Sequence, residues 1–120
     1  MAGVGKRKIA IVDDGVRESL CFLLEVAGYV VETFASAAEF LRAEIENLSC
    51  LILDHLMPGM TGLELAAKLR AYGSGIPILL ITGSPSTAIF ARAAELGIKR
   101  VLEKPFDDKD LLHFVNINRC

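Results

Sequence analysis

The sequence predicts an α/β fold in which a mostly parallel β-sheet is covered by helices on both faces. Short runs of aliphatic and β-branched residues recur along the chain, and segments with apolar residues at helical spacing separate them. This alternation is typical of strand–helix–strand units with right-handed crossovers. Hydrophobic residues make up 52% of the 120 residues, which is enough for one domain with a sheet core.

The first part of the chain supplies two strands and a helix. Lys8–Val12 and Tyr29–Phe34 are predicted strands because they are rich in β-branched and aliphatic residues. Between them, apolar residues at helical spacing predict a helix over about residues 16–27, and Gly28 suits the position just past its end.

The central strand is the most buried element that the sequence predicts. Before it, Ser36–Glu39 has the spacing of a capping box and opens a second helix that continues to about Glu46. The apolar run Cys50–Leu53 then predicts a strand buried on both faces. Asp54 follows at once, and Pro58 ends the regular structure shortly afterwards.

The second half repeats the same alternation. Thr61–Glu64 again has capping-box spacing and opens a third helix to about Tyr72. The remaining predicted elements are the strand Ile78–Ile81, a helix over about residues 86–96, the strand Arg100–Glu103 and a last helix capped by Asp107.

Five strands alternating with five helices favour a flavodoxin-like (βα)5 doubly wound parallel sheet with strand order 2-1-3-4-5, in a single domain. Ligands bind such sheets at the carboxyl ends of the strands, where the first and third strands lie side by side. Polar residues follow four of the predicted strands, so we expect them to converge: Asp13 with Asp14, Asp54, Thr82 and Lys104.

This set of side chains can accept a phosphoryl group. Three carboxylates in one small site repel each other unless a cation is bound or their pKa values rise. Oxygen ligands without His or Cys favour Mg²⁺. A carboxylate such as Asp54 can attack phosphorus, while Mg²⁺ and Lys104 neutralise charge and the Thr82 hydroxyl donates a hydrogen bond.

The chain resembles, over essentially residues 1–120, the receiver domain of two-component response regulators. The residues that carry the resemblance are Asp13-Asp14, Asp54 with the run Met57–Gly62, Thr82-Gly83 and Lys104-Pro105-Phe106. The resemblance implies that Asp54 is the phosphoacceptor, Thr82 the switch hydroxyl and Lys104 the cation that pairs with the phosphoryl group. Such a domain is a switch that assists its own phosphorylation and dephosphorylation, not an enzyme.

The resemblance also implies a magnesium site and a backbone feature. Asp14 would bind Mg²⁺ directly, Asp13 mainly through water, and Asp54 and the backbone carbonyl of Leu56 would complete the protein ligands. A cis peptide bond is expected between Lys104 and Pro105, because the family has one there.

Partners follow from the same resemblance. The phosphoryl donor would be a sensor histidine kinase or a phosphotransfer protein. The signal would pass to an effector domain or protein, or to a homodimer, through the face of the fourth helix, fifth strand and fifth helix. The family commonly has an aromatic residue where this chain has Val101, so switching would rely more on the Thr82 loop and the fourth helix.

Composition excludes several classes of protein. A net charge of -2 offers no overall basic field for nucleic acid, so no direct contact with nucleic acid is expected. No run approaches the roughly 18 apolar residues of a membrane span, and no signal-peptide pattern is present. The three cysteines lack metal-ligand spacing, and Cys21 and Cys50 are expected to be buried free thiols. We therefore expect a cytoplasmic protein that does not contact membranes.

Two other functions stay open at this point. An aspartyl phosphohydrolase usually has a second acid two residues after the nucleophile, where this chain has Leu56. A degenerate receiver that only binds partners is disfavoured by the intact acidic, hydroxyl and amine set, although Val101 keeps that alternative open.

For Thr82, a role as helix cap competes with the switch role, although Ser84 or Ser86 could cap instead. For His55, a partly exposed loop position is favoured over a phosphoryl relay.

Overall fold

Strands and helices alternate through the described parts of the chain, as the sequence predicts. A computed structural model describes residues 8–13, 17–43, 48–57 and 59–118. The strands are β1 (Lys8–Val12), β2 (Val30–Phe34), β3 (Leu48–Asp54), β4 (Ile78–Thr82) and β5 (Arg100–Glu103). The helices are α1 (Arg17–Val26), α2 (Ala37–Ala43), α3 (Gly62–Ala71), α4 (Thr87–Glu95) and α5 (Asp108–Ile117).

The five strands form one parallel sheet in the order β2-β1-β3-β4-β5, which confirms the predicted fold class. The chain adds β2 on one side of β1 and then adds β3, β4 and β5 on the other side. The position between β1 and β3 is therefore the switch point of the doubly wound sheet. The carboxyl ends of β1, β3, β4 and β5 therefore share one edge of the sheet.

Two apolar layers enclose this sheet. Helices α1 and α5 cover one face, and α2, α3 and α4 cover the other. The largest fully buried side chains include Phe114 of α5 and Leu24 of α1 on the first face, and Leu65 of α3 on the second. Burial of each such side chain contributes about 1.5–3 kcal/mol. Strands β1, β3 and β4 send alternate residues into both layers, which is why their sequences are continuously apolar.

The helices begin where the sequence places their caps. Thr61 and Glu64 form the complete capping box of α3. Ser36 accepts a hydrogen bond from the Glu39 backbone N–H ahead of α2, and the Asp107 side chain caps α5. The predicted continuation of α2 to Glu46 falls on residues 44–47, which lie outside the described part of the chain.

One prediction about burial was wrong, and one helix is less buried than its apolar residues suggest. Within α4, Ala93 is buried, whereas Phe90 is 51% exposed. Cys21 is half-buried instead of buried, whereas Cys50 is fully buried, and burial raises the pKa of its thiol to about 12.

None of the helices in the described ranges has the length and apolar character that crossing a bilayer requires.

Candidate functional site

Four of the predicted site residues lie at neighbouring strand ends. The parallel register of β1 and β3 pairs the residues just before Asp13 and Asp54, so these two acids lie side by side. Thr82 is the last residue of β4, and its carbonyl oxygen accepts a hydrogen bond from the backbone N–H of Lys104, at 2.9 Å. The strand order therefore brings together groups that are far apart in the sequence, as predicted.

These side chains are buried although they are polar. Asp13 is 1% exposed, Asp54 5% and Thr82 0%, and these are the buried polar residues in the part of the chain that the structure describes. Burying polar or charged groups is costly unless partners compensate. Three such residues at one sheet edge indicate a site kept for chemistry and not for packing.

An ion pair joins the acid at the centre of the site to its amine. The Lys104 Nζ atom lies 3.2 Å from the Asp54 Oδ1 atom, and the lysine side chain keeps 36% of its surface exposed. Asp54 is thus held in place by a cation that can still meet a ligand arriving from solvent.

The surroundings of Asp54 raise its pKa. Burial is the largest cause that raises the pKa of Asp54 above its ordinary value, and the nearby charge of Asp13 raises it further. Lys104 opposes this rise through its hydrogen bond and its charge, but it does not cancel it. A divalent cation beside the two carboxylates would favour their ionised forms.

Thr82 does not cap a helix. Its Oγ1 atom accepts a hydrogen bond from the Ser84 backbone N–H at 3.1 Å. The cap of α4 is Ser86, whose side chain accepts from the Ile89 N–H at 3.2 Å. A hydroxyl that accepts one hydrogen bond keeps its own O–H for donation. The helix-cap alternative for Thr82 is thus excluded, because Ser86 caps α4.

The loop after β3 is tied to both neighbouring elements. The His55 backbone N–H donates to the Ile81 carbonyl at 2.8 Å, and the Gly62 N–H donates to the His55 carbonyl at 3.0 Å. Met57 is buried, while Leu56 points outward with 61% of its surface exposed. His55 itself is half-buried, in keeping with the predicted loop position.

The acid pair fits part of the predicted magnesium site. Asp14 and Pro58 lie outside the described residues, so the predicted ligand Asp14 has no structural account. Within residues 8–13, 17–43, 48–57 and 59–118, no group of three His, Cys, Asp or Glu side chains is placed to hold a metal. The two carboxylates that do meet, Asp13 and Asp54, are hard oxygen donors of the kind that Mg²⁺ prefers.

The backbone after β5 has the predicted form. The peptide bond between Lys104 and Pro105 is cis, which confirms that expectation. Val101 is half-buried and packs against the apolar layer that α2, α3 and α4 share. This is the position at which the resemblance implies an aromatic residue.

The sequence did not reveal the contacts that two residues make, although Gly62 belongs to the motif quoted above. Gly62 packs directly under the backbone of Asp54, and the available signal was a glycine at the first position of a predicted helix. Arg70 donates hydrogen bonds to four backbone carbonyls, two at the end of α4 and two in the loop between α3 and β4, and nothing in its sequence context distinguishes it from a surface arginine.

Comparison with known proteins is consistent with this geometry. The sequence profile of the family described as the response regulator receiver domain matches residues 9–116. The transcriptional regulatory protein FixJ of Azorhizobium caulinodans is 43% identical over 101 residues, which are 83% of this chain and 48% of that protein. The chain spans about half the length of the curated relatives that it matches.

Solved structures agree with the sequence matches. A CheY-like receiver domain from Methanospirillum hungatei superposes with a TM-score of 0.87 at 30% identity, covering 94% of this chain and 93% of that one. Full-length FixJ from B. japonicum gives a TM-score of 0.85 at 36% identity, covering 96% of this chain and 58% of that one.

Proposed function

This chain belongs to the response regulator receiver domain family of two-component systems, and we propose that residues 1–120 act as a receiver that accepts a phosphoryl group on Asp54. Receiver domains of this family are phosphoacceptor switches that work with histidine kinases and effector domains. The observation that carries the proposal is the buried Asp54 carboxylate, ion-paired with Lys104 and placed beside Asp13.

In the proposed reaction, a carboxylate oxygen of Asp54 attacks the phosphorus of a phosphohistidine. The new bond is an acyl phosphate, and the phosphorus–nitrogen bond breaks, so that the leaving imidazole takes up a proton. Such transfers depend mainly on positioning and on positive charge around the phosphoryl oxygens. The Lys104 amine supplies positive charge beside the Asp54 carboxylate that it already contacts. The Thr82 hydroxyl donates a hydrogen bond to an oxygen of the added phosphoryl group.

Receiver domains of this family generally bind Mg²⁺ at the phosphorylation site. Here we assign Asp14 as a direct ligand, Asp13 as a ligand mainly through water, and Asp54 and the Leu56 backbone carbonyl as the other protein ligands. When bound, the ion would neutralise charge on the phosphoryl group and on the carboxylates. The raised pKa of Asp54 supports a cation beside Asp13 and Asp54, because a nearby cation stabilises the ionised form that attacks phosphorus.

The output is proposed to pass through the face of α4, β5 and α5. Exposed Phe90 on α4 and the Arg100–Asp110 ion pair between β5 and α5, at 3.7 Å, give this face an apolar and a charged part. The recipient is an effector domain or protein, or a second copy of the receiver in a homodimer. Relatives named transcriptional regulatory proteins support an effector domain as one such recipient.

The receiver itself is proposed to work in the cytoplasm, without contacting membranes or nucleic acid. Its net charge of -2 supports the last point, because neutralising backbone phosphates requires clustered Lys and Arg side chains.

Incubation with acetyl phosphate and Mg²⁺, followed by intact-mass measurement, tests the proposal. We expect one added phosphoryl group on the wild-type protein and none on Asp54→Asn. Asp108→Asn, which removes an exposed acid in the first turn of α5, is the matched control and should be modified like the wild type. No adduct would favour the alternative of a degenerate receiver that only binds partners, and rapid multiple turnover would indicate a phosphohydrolase.

A further inference from the structure

The first residue of α3 lies against the backbone of the proposed phosphoacceptor. A Cβ atom added to Gly62 would lie 2.8 Å from the Asp54 carbonyl oxygen and 2.8 Å from the Leu80 Cδ1 atom. It would also lie 3.1 Å from the His55 Cα atom. In a closely packed interior such separations cannot be accommodated without movement, so the absence of a side chain at Gly62 lets α3 come this close.

The atoms that would have to move are not equally free. Leu80 meets the added carbon with the end of a flexible side chain, which can rotate. Asp54 and His55 meet it with backbone, and the His55 peptide is fixed on one side by Ile81, at 2.8 Å, and on the other by Gly62, at 3.0 Å. Any side chain at residue 62 would therefore displace the backbone that carries the Asp54 carboxylate.

The start of α3 is itself firmly anchored. The Glu64 backbone N–H donates to the Thr61 hydroxyl at 3.1 Å, and the Thr61 N–H donates to the Glu64 carboxylate at 2.8 Å. This reciprocal capping box satisfies N–H groups that the helix leaves unpaired and fixes its first turn. The helix start is thus a rigid support pressed against the end of β3.

We propose that Gly62 is a positioning residue for phosphoryl transfer, because its bare backbone sets where Asp54 stands relative to Lys104. This role rests on the proposed function. The Lys104 amine lies 3.2 Å from the Asp54 carboxylate, a distance that a small displacement of the Asp54 backbone would change. A misplacement of about 1 Å at a reacting group can cost on the order of 10²-fold in rate.

A stability role alone predicts a different outcome. Alanine is a better helix former than glycine, so Gly62→Ala would favour α3 if nothing lay against it. The matched control is Gly75→Ala, because a Cβ atom at Gly75 meets nothing within 4 Å and the residue does not have a positive φ.

The test measures the rate of Asp54 phosphorylation at saturating acetyl phosphate and Mg²⁺, with circular dichroism to show that each variant is folded at the assay temperature. We expect Gly62→Ala to react at least about tenfold more slowly than the wild type, and Gly75→Ala to match the wild type. Equal rates for Gly62→Ala and the wild type would overturn the proposal. A wild type that forms no adduct would instead overturn the proposed function, and this role with it.

A second variant separates the two contacts of the added carbon. In Gly62→Ala/Leu80→Val the Leu80 Cδ1 atom is removed, while the clash with the Asp54 carbonyl oxygen stays. Phosphorylation that remains slow in this double variant supports the proposal, whereas recovery of the wild-type rate would assign the effect to core packing and overturn it. The double variant also carries the test if Gly62→Ala alone does not fold.

Discussion

Replacing the phosphoacceptor with its neutral isostere should make the metal-free protein more stable. Asp54 is buried beside Asp13, and both burial and that neighbour raise its pKa, so its ionised form is disfavoured in the folded state. Keeping one buried ion costs several kcal/mol, while the pair with the partly exposed Lys104 returns only about 1 kcal/mol. We therefore expect Asp54→Asn to gain about 1–2 kcal/mol at pH 7 in the absence of Mg²⁺, or about 4–8 °C in Tm.

The pH dependence of this difference has a definite sign. Because the folded-state pKa of Asp54 is raised above its ordinary value of 3.8, the native protein holds the proton to higher pH than the unfolded chain does. The contribution of Asp54 to wild-type stability is thus fully present below pH 3.8 and is lost as pH rises through the folded-state pKa. Asp54→Asn should not lose stability in this way. The difference in the free energy of unfolding between the variant and the wild type should therefore grow with pH.

The assay is urea denaturation of wild type, Asp54→Asn and Asp108→Asn in buffer with a chelator, repeated across a pH series. Asp108→Asn changes the same charge at an exposed position and should stay within about 0.5 kcal/mol of the wild type. A variant at Asp54 that is less stable than the wild type at neutral pH, or a stability difference that does not change with pH, would refute this account of the site's electrostatics.

Two further substitutions test the structure at and away from the site. Arg70→Met should lower the free energy of unfolding by about 2–4 kcal/mol, because four backbone carbonyls lose a charged donor. Urea denaturation measures the loss, with Arg92→Met as the exposed control. Equal losses of stability in the two variants would contradict the prediction. Leu56→Asn or Leu56→Glu should speed decay of the acyl phosphate by roughly tenfold, since Leu56 cannot orient a water molecule and a polar side chain there can. The decay is measured as loss of the phosphoryl mass over time. An unchanged decay rate would show that this position does not control hydrolysis.

Most of the fold was predictable from the sequence because its signals are local. Apolar runs such as Ile78–Ile81 predict buried strands by themselves, and the capping boxes mark where helices begin. The strand order followed from the number and alternation of elements, and it was enough to bring Asp13, Asp54 and Lys104 to one edge. The convergence of these residues was thus predictable, because it depends on topology and not on details of packing.

The features that sequence reasoning missed depend on packing between elements. The exposure of Phe90 depends on how α4 is placed on the sheet, which an apolar pattern in one helix does not reveal. The close approach of Gly62 to Asp54 and the hydrogen bonds of Arg70 to carbonyls near Gly97 join residues whose distance depends on helix placement. Such contacts need coordinates, because many chain paths are compatible with the same pattern of strands and helices.

The most direct test of the central claim is to locate the phosphoryl group. The wild-type protein would be incubated with acetyl phosphate and Mg²⁺ and digested, and the peptides would be sequenced by mass spectrometry. We expect a single acyl phosphate on Asp54 that is lost on mild alkaline treatment and does not form when Mg²⁺ is chelated. A protein that takes up no phosphoryl group, or that carries it on another residue such as the adjacent His55, would contradict the account.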